Sequence, residues 1–210
     1  MSECIFCNRK NFEERLIFEN RDFWVIATLG QITDGGYALL IPKGHIPCLG
    51  DLATSFQAGQ HPMFDITKRL VFRAISLEYA QPECGAITTF EHGIVGQTIE
   101  HAHLHILPMA LDPTSRIMAD FPGSEIQELD SFLQIQELYS ENPRPYLFWS
   151  ILNTRFFVCW DPPAPAQYLR TVFADLLGKP ERANWRNMDP DLDKKLWSGT
   201  VERLKPYFTA

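Results

Sequence analysis

His101, His103 and His105 are three of the six histidines in this chain of 210 residues, and they fall within Glu100-His101-Ala102-His103-Leu104-His105-Ile106-Leu107-Pro108. They alternate with Ala102, Leu104 and Ile106. An extended backbone therefore sends the three imidazoles to one face and the apolar side chains to the other. With an unperturbed pKa of about 6.5, imidazole supplies a nucleophile that is uncharged at neutral pH, the kind of group that can attack a phosphoanhydride or phosphoramidate. The stretch has the pattern of an active-site strand.

Two further groups have metal-binding chemistry. Cys4-Ile5-Phe6-Cys7 has the two-residue spacing that lets two thiolates reach one tetrahedral ion, although alone it is a weak signal that two incidental buried cysteines would match equally well. His45 follows Pro42-Lys43-Gly44 at a strand end, and Cys48 lies three residues beyond it. The five cysteines are an odd number in a chain long enough to need no staples, which suits reduced thiols and metal ligation better than a disulfide framework.

The elements that must position these groups are short and β-rich. Arg15–Phe18, Phe23–Ala27 and Tyr37–Ile41 read as strands of an antiparallel meander, separated by Asn20-Arg21-Asp22 and Thr33-Asp34-Gly35-Gly36. From about His61 to Ala80, Met63, Ile66, Leu70, Ala74 and Leu77, flanked by Phe64, Val71 and Ile75, predict a helix with one buried stripe. Pro82 ends it, Cys84–Phe90 reads as a strand, and a loop from Glu91 to Thr98 leads into the histidines. Beyond Pro108 the sequence predicts a turn-rich loop to Gly123 that folds over the site and a helix capped by Ser124 that runs to about Leu138. A hairpin of Tyr146–Ile151 with Arg155–Trp160 follows, then a helix from Gln167 to Leu177 and a closing helix capped by Asp189.

Composition limits the partners. A content of 45% hydrophobic and 21% charged residues is ordinary globular material, and the net charge of −7 argues against a broad electrostatic grip on nucleic acid while leaving small anionic substrates open. Neither a signal peptide nor a run of about 18 apolar residues is evident, so the expectation is a cytoplasmic protein with no membrane span.

Pro42-Lys43-Gly44-His45, Gly96-Gln97-Thr98 and His101-Ala102-His103-Leu104-His105 together resemble the histidine triad family of nucleotide hydrolases and transferases. The likeness covers roughly residues 1–110. It implies an α+β fold, a HIT-like antiparallel sheet of about five strands with a long packed helix, forming a monomer or a homodimer. It also implies His103 as the nucleophile that forms a covalent nucleotidyl intermediate at the α-phosphate, and His105 as a donor to the phosphate oxygens. Gln97 and Thr98 would hold the transferring group. In members with an N-terminal Cys-x-x-Cys pair, the matching positions, Cys4, Cys7, His45 and His101, bind a structural zinc ion. Cys48 ranks below these four as a ligand.

The chain departs from the family where ribose is usually held, with Leu29 in place of an Asp and Phe90 in place of an Asn. Residues 111–210 are expected to form an extension packed on the first domain. Gln167-Tyr168-Leu169-Arg170, Leu177 to Glu181 and Trp185-Arg186 resemble, more loosely, the extended HIT-like proteins that include CwfJ-type proteins of RNA splicing and debranching. Helical spacing puts Gln167 and Arg170 on one face, where they could meet a phosphate. The expectation is a nucleotide phosphohydrolase, ahead of a nucleotidyltransferase. The competing class is a non-enzymatic nucleotide-binding or RNA-processing module.

Overall fold

The computed structural model describes residues 4–52, 62–79 and 87–208. The expected helix ends His61 and Ala80, the stop Pro82 and the strand residues Cys84 to Ala86 lie outside them. Among the described residues the chain is α+β, with eight strands in one antiparallel sheet and five α-helices. The strands are β1 (Leu16–Glu19), β2 (Phe23–Ala27), β3 (Ala38–Pro42), β4 (Thr88–Gly93), β5 (Leu104–Leu107), β6 (Glu125–Leu129), β7 (Tyr146–Ile151) and β8 (Arg155–Trp160). The helices are α1 (Pro62–Tyr79), α2 (Thr114–Asp120), α3 (Phe132–Glu141), α4 (Tyr168–Leu176) and α5 (Pro190–Leu204).

The spatial order β1-β2-β3-β5-β4-β7-β8-β6 corrects the expectation of about five strands. The five strands drawn from the first 110 residues are neighbours, but the far edge of β4 is paired to β7, and β8 and β6 continue the sheet. An open β4 edge would leave a row of backbone groups unpaired, and the second half of the chain fills it. Residues on either side of position 110 therefore share one sheet.

Both faces of that sheet are covered, which is why β2, β3, β4 and β5 are buried at every position. One layer joins Val25, Leu40, Leu104, Ile106, Phe148 and Val158 to α1, α3 and the end of α5. The other joins Ile26, Leu39, Phe90, Trp149 and Phe157 to Ile117 of α2 and to Leu169, Val172 and Phe173 of α4.

Three local expectations are corrected. The helix expected from Ser124 is strand β6 followed by α3, because pairing with the outer edge of β8 overrides the three-residue apolar spacing of Ile126, Leu129 and Phe132. The buried stripe of α1 is Phe64, Val71, Ala74 and Ile75, whereas Ile66, Leu70 and Leu77 are exposed. The helix carries two apolar stripes and only one faces the sheet. Glu91, His92 and Gly93 belong to β4 rather than to a loop, since β7 extends their pairing. The hairpin β7–β8 and the Asp189 cap of α5, which accepts the Leu192 amide at 2.8 Å, match the sequence reading.

Placing Glu91 in a two-sided strand buries its carboxyl group in the α1/α3 layer. It accepts the Leu49 amide at 2.7 Å and the Tyr146 hydroxyl at 2.6 Å, and burial pushes its pKa from 4.5 up to about 8 against the lowering effect of those two bonds. Cys48, Tyr139 and Tyr146 are ionisable neighbours of this carboxyl. Because the folded pKa is the higher one, the unfolded chain releases this proton first, and the carboxyl's contribution to stability falls as pH rises from about 4.5 to 8, by up to about 1.4 kcal/mol per pH unit. Denaturant titrations of wild type and Glu91→Gln across pH 5–8 are expected to show the variant gaining relative stability with pH. A pH-independent difference would contradict this placement.

Candidate active site and metal centre

The histidine strand divides its side chains as the alternation predicts. Ala102, Leu104 and Ile106 enter the α1/α3 layer, and the imidazoles turn to the opposite side. Regular pairing begins only at Leu104, and the preceding residues are held by the Ala102 amide, which donates to Ile46 O at 2.8 Å. His103 Nδ1 lies 2.6 Å from the carbonyl oxygen of His101, and His101 Nε2 lies 2.8 Å from that of Pro42. A carbonyl only accepts, so the proton of neutral His103 sits on Nδ1 and that of His101 on Nε2. The lone pairs are then on His103 Nε2 and His101 Nδ1.

His105 is flanked on neighbouring strands by Leu39 and Phe90, and the Phe90 ring stacks on it at 4.2 Å and 5°. Its Nδ1 is 2.5 Å from the Tyr37 hydroxyl, and its buried Nε2 has no partner among the described residues. Burial holds His103 near a pKa of about 4 and His105 well below the usual histidine range, in each case with help from nearby positive groups. Both rings are neutral at pH 7.

His101 points its lone pair toward the N-terminus. Cys4 Sγ is 3.5 Å and Cys7 Sγ 3.6 Å from His101 Nδ1, His45 Nδ1 is 3.2 Å from that same atom, and Cys7 Sγ is 3.3 Å from His45 Nδ1. Ligand atoms around a tetrahedral ion with bonds of about 2.0–2.3 Å stand about 3.3–3.8 Å apart. The four donor atoms, which all lie within 4.8 Å of one another, fit such a site and could hold a metal ion. The Cys4–Cys7 loop is a 3₁₀ turn closed by the Cys7 amide on Cys4 O at 3.0 Å, and Phe6 within it packs edge-on against His101 and His103. Cys48 lies elsewhere, buried beside Tyr139 and Tyr146, where its thiol is pushed up to about 12 by burial.

A cleft with about 580 Å³ of empty space opens over His103 and His105. Gln97, Thr98, Gln167 and Arg170 all line it, so the structure gathers every residue of the expected substrate set. Their contacts are more specific than spacing foretold. Gln97 Nε2 donates to Pro47 O at 2.8 Å, and the Gln167 amide to Gly96 O at 2.8 Å. Gly96 has φ +74°, and a Cβ there would meet Pro165 O at 2.8 Å, so only glycine brings the Gln97 loop against the start of α4. The 108–123 segment, expected to fold over the site, contributes none of the lining residues. It forms α2, whose flanking Phe121 packs on Tyr168.

Sequence reasoning missed His92, Tyr37, Arg15 and Trp185. His92, two residues from Phe90 on the same face of β4, accepts the Leu169 amide on Nε2 at 3.0 Å and so caps α4, which has no side-chain cap of its own. Strand alternation past Phe90 is a signal for it in the sequence. Arg15, Thr28, Leu29 and Trp185 line the cleft, and among the described residues no carboxylate does. No protein-family model matches the chain, and no curated protein is significantly similar to it.

The four-ligand geometry predicts about one equivalent of tightly held metal per chain by elemental analysis. Cys4→Ser/Cys7→Ser is expected to lose that metal and several degrees of thermal stability. Metal-free wild type that is as stable as metal-loaded protein would contradict it.

Proposed function

We propose that this chain is a histidine-triad-type nucleotide hydrolase that works through a covalent nucleotidyl intermediate on His103. The observation that carries this reading is the bond from His103 Nδ1 to His101 O, which leaves Nε2 as a neutral, unprotonated nitrogen in the cleft. In the first step that nitrogen attacks the α-phosphorus of a nucleotide. A nitrogen–phosphorus bond forms as the bond to the leaving group breaks, and the electron pair departs with the leaving group. In the second step a water oxygen attacks the same phosphorus and gives up a proton to solvent, the bond to His103 breaks with its electron pair returning to Nε2, and the imidazole regains its starting form. An acceptor other than water would make the same site a nucleotidyltransferase.

His105, Gln97 and Thr98 are assigned to the phosphoryl oxygens and the leaving group, where preorganised donors lower the barrier. Among the described residues, Gln167 brings the one cleft-lining side-chain oxygen that is buried without a partner, suited to a donor on the substrate. Ile5, Phe6, Leu29, Leu39, Ile99 and Trp185 offer an apolar wall for a base. With Leu29 in the cleft and no carboxylate among its described lining residues, ribose hydroxyls have no acidic partner among them, so the phosphate and base carry recognition.

The metal is proposed to be a structural zinc ion. Two thiolates and two imidazoles match its preferred donors, and four protein ligands leave no position for substrate. By holding His101, whose carbonyl receives the His103 proton, it would fix the nucleophile through the main chain.

Dinucleoside polyphosphates, nucleoside phosphoramidates and sugar nucleotides are the substrates to screen. Turnover of at least one is expected, and His103→Gly should lower it by about 10³-fold or more. An α-labelled nucleotide should give an alkali-stable, acid-labile adduct in wild type and none in His103→Gly. Binding without turnover of any of these compounds would instead make the chain a nucleotide-binding module.

A further inference from the structure

Arg170 was expected to meet a phosphate, yet most of its guanidinium is engaged within the protein. Nε donates to Ala183 O at 3.3 Å, Nη2 to Gly30 O at 2.8 Å and Arg182 O at 3.4 Å, and Nη1 to the Tyr37 hydroxyl at 3.2 Å. The surroundings are built to keep it there. Gly30 has φ +66°, and a Cβ on it would lie 2.7 Å from Arg170 Nη2 and 2.3 Å from Trp185 Cβ. The Gly30 amide is itself held by Asp193 of α5 at 2.9 Å.

The direction of the hydrogen bonds follows from what each group can do. Guanidinium nitrogens only donate, so Tyr37 Oη accepts from Arg170. The Tyr37 hydroxyl hydrogen then needs an acceptor inside the protein, and His105 Nδ1, 2.5 Å away, is its hydrogen-bond partner. Were His105 Nδ1 also protonated, the buried hydroxyl hydrogen would be left unmatched, at a cost of about 1–3 kcal/mol. Burial keeps the phenol protonated by pushing its pKa up to about 12. His105 Nδ1 therefore carries the lone pair, and the ring proton lies on Nε2, the buried atom that has no partner among the described residues.

We propose that Tyr37 and Arg170 are positioning residues, a relay that fixes His105 in the Nε2–H tautomer and so presents an uncharged hydrogen-bond donor to the cleft beside the His103 nitrogen. The relay joins the two halves of the chain, since Tyr37 borders β3 and Arg170 belongs to α4. It makes His105 and His103 chemical opposites on one strand: one offers a proton at Nε2 and the other a lone pair. Its consequence for turnover rests on the nucleotidyl-transfer reading above, whereas the tautomer itself does not.

Long-range ¹H–¹⁵N spectra of histidine-labelled, metal-loaded protein read the tautomer directly. Wild type should show His105 protonated on Nε2 and unprotonated on Nδ1, and the nearly isosteric Tyr37→Phe should show a mixture or the Nδ1–H form. Arg170→Met should loosen the tautomer in the same direction, with Arg170→Lys restoring part of it. In a substrate assay, Tyr37→Phe should lower kcat by about tenfold with little change in KM. A wild-type His105 protonated on Nδ1, or an Nε2–H form unaltered in Tyr37→Phe, would overturn the relay. The expected spectra together with no turnover of any nucleotide would leave the relay standing and remove the proposed activity instead.

Discussion

The hydrogen bond from His103 Nδ1 to the carbonyl of His101, at 2.6 Å, is the constraint on which the site depends. It requires the backbone at 101–103 to be extended, the carbonyl of His101 to be fixed, and the imidazole to be neutral. The extended backbone is secured by the Ala102 amide on Ile46 O and by β5 just beyond it. The carbonyl is fixed because the His101 ring is tied on one side to Pro42 O at the end of β3 and on the other to the Cys4, Cys7 and His45 cluster. Neutrality comes from burial between the sheet and α4, which disfavours a charged ring.

That burial is made by the second half of the chain. α4 covers the histidine face, and its buried N-terminal amide at Leu169, which has no acceptor within the helix, is matched by His92 from β4. The same helix supplies Arg170 to the cleft, its N-cap residue Gln167 lines it too, and the segment after it supplies Trp185. Because β7, β8 and β6 extend the sheet past β4, α4 is anchored over the histidines by a continuous hydrophobic layer through Phe90, Trp149 and Phe173. Such a layer holds the cleft's donors in place before any ligand arrives, the preorganisation on which phosphoryl transfer depends.

Sequence alone made the local features legible. The alternation through His105 marks the two faces of the histidine strand, and the Asp189-Pro190 pair marks the start of α5, because each depends on neighbouring residues only. Pairing with distant strands was not legible. Ile126, Leu129 and Phe132 have helical spacing, and only the free edge of β8 makes the first part of that segment a strand. Glu91 and His92 looked like loop residues because a buried acid and a buried histidine interrupt the apolar pattern, and their partners, Tyr146 and Leu169, are 55 and 77 residues away. Gln97, Thr98, Gln167 and Arg170 all line the cleft, but the Arg170 partners Tyr37 and Gly30 are 133 and 140 residues distant, so its engagement within the protein is not foreseeable from spacing.

The central claim is that phosphorus is transferred first to His103 and only then to water, and stereochemistry at phosphorus tests it most directly. A turned-over nucleotide made chiral at the α-phosphorus, with hydrolysis run in isotopically labelled water, reports how many in-line displacements occur. Two successive displacements through His103 predict net retention of configuration. Net inversion would show water attacking the phosphorus directly and would contradict the account.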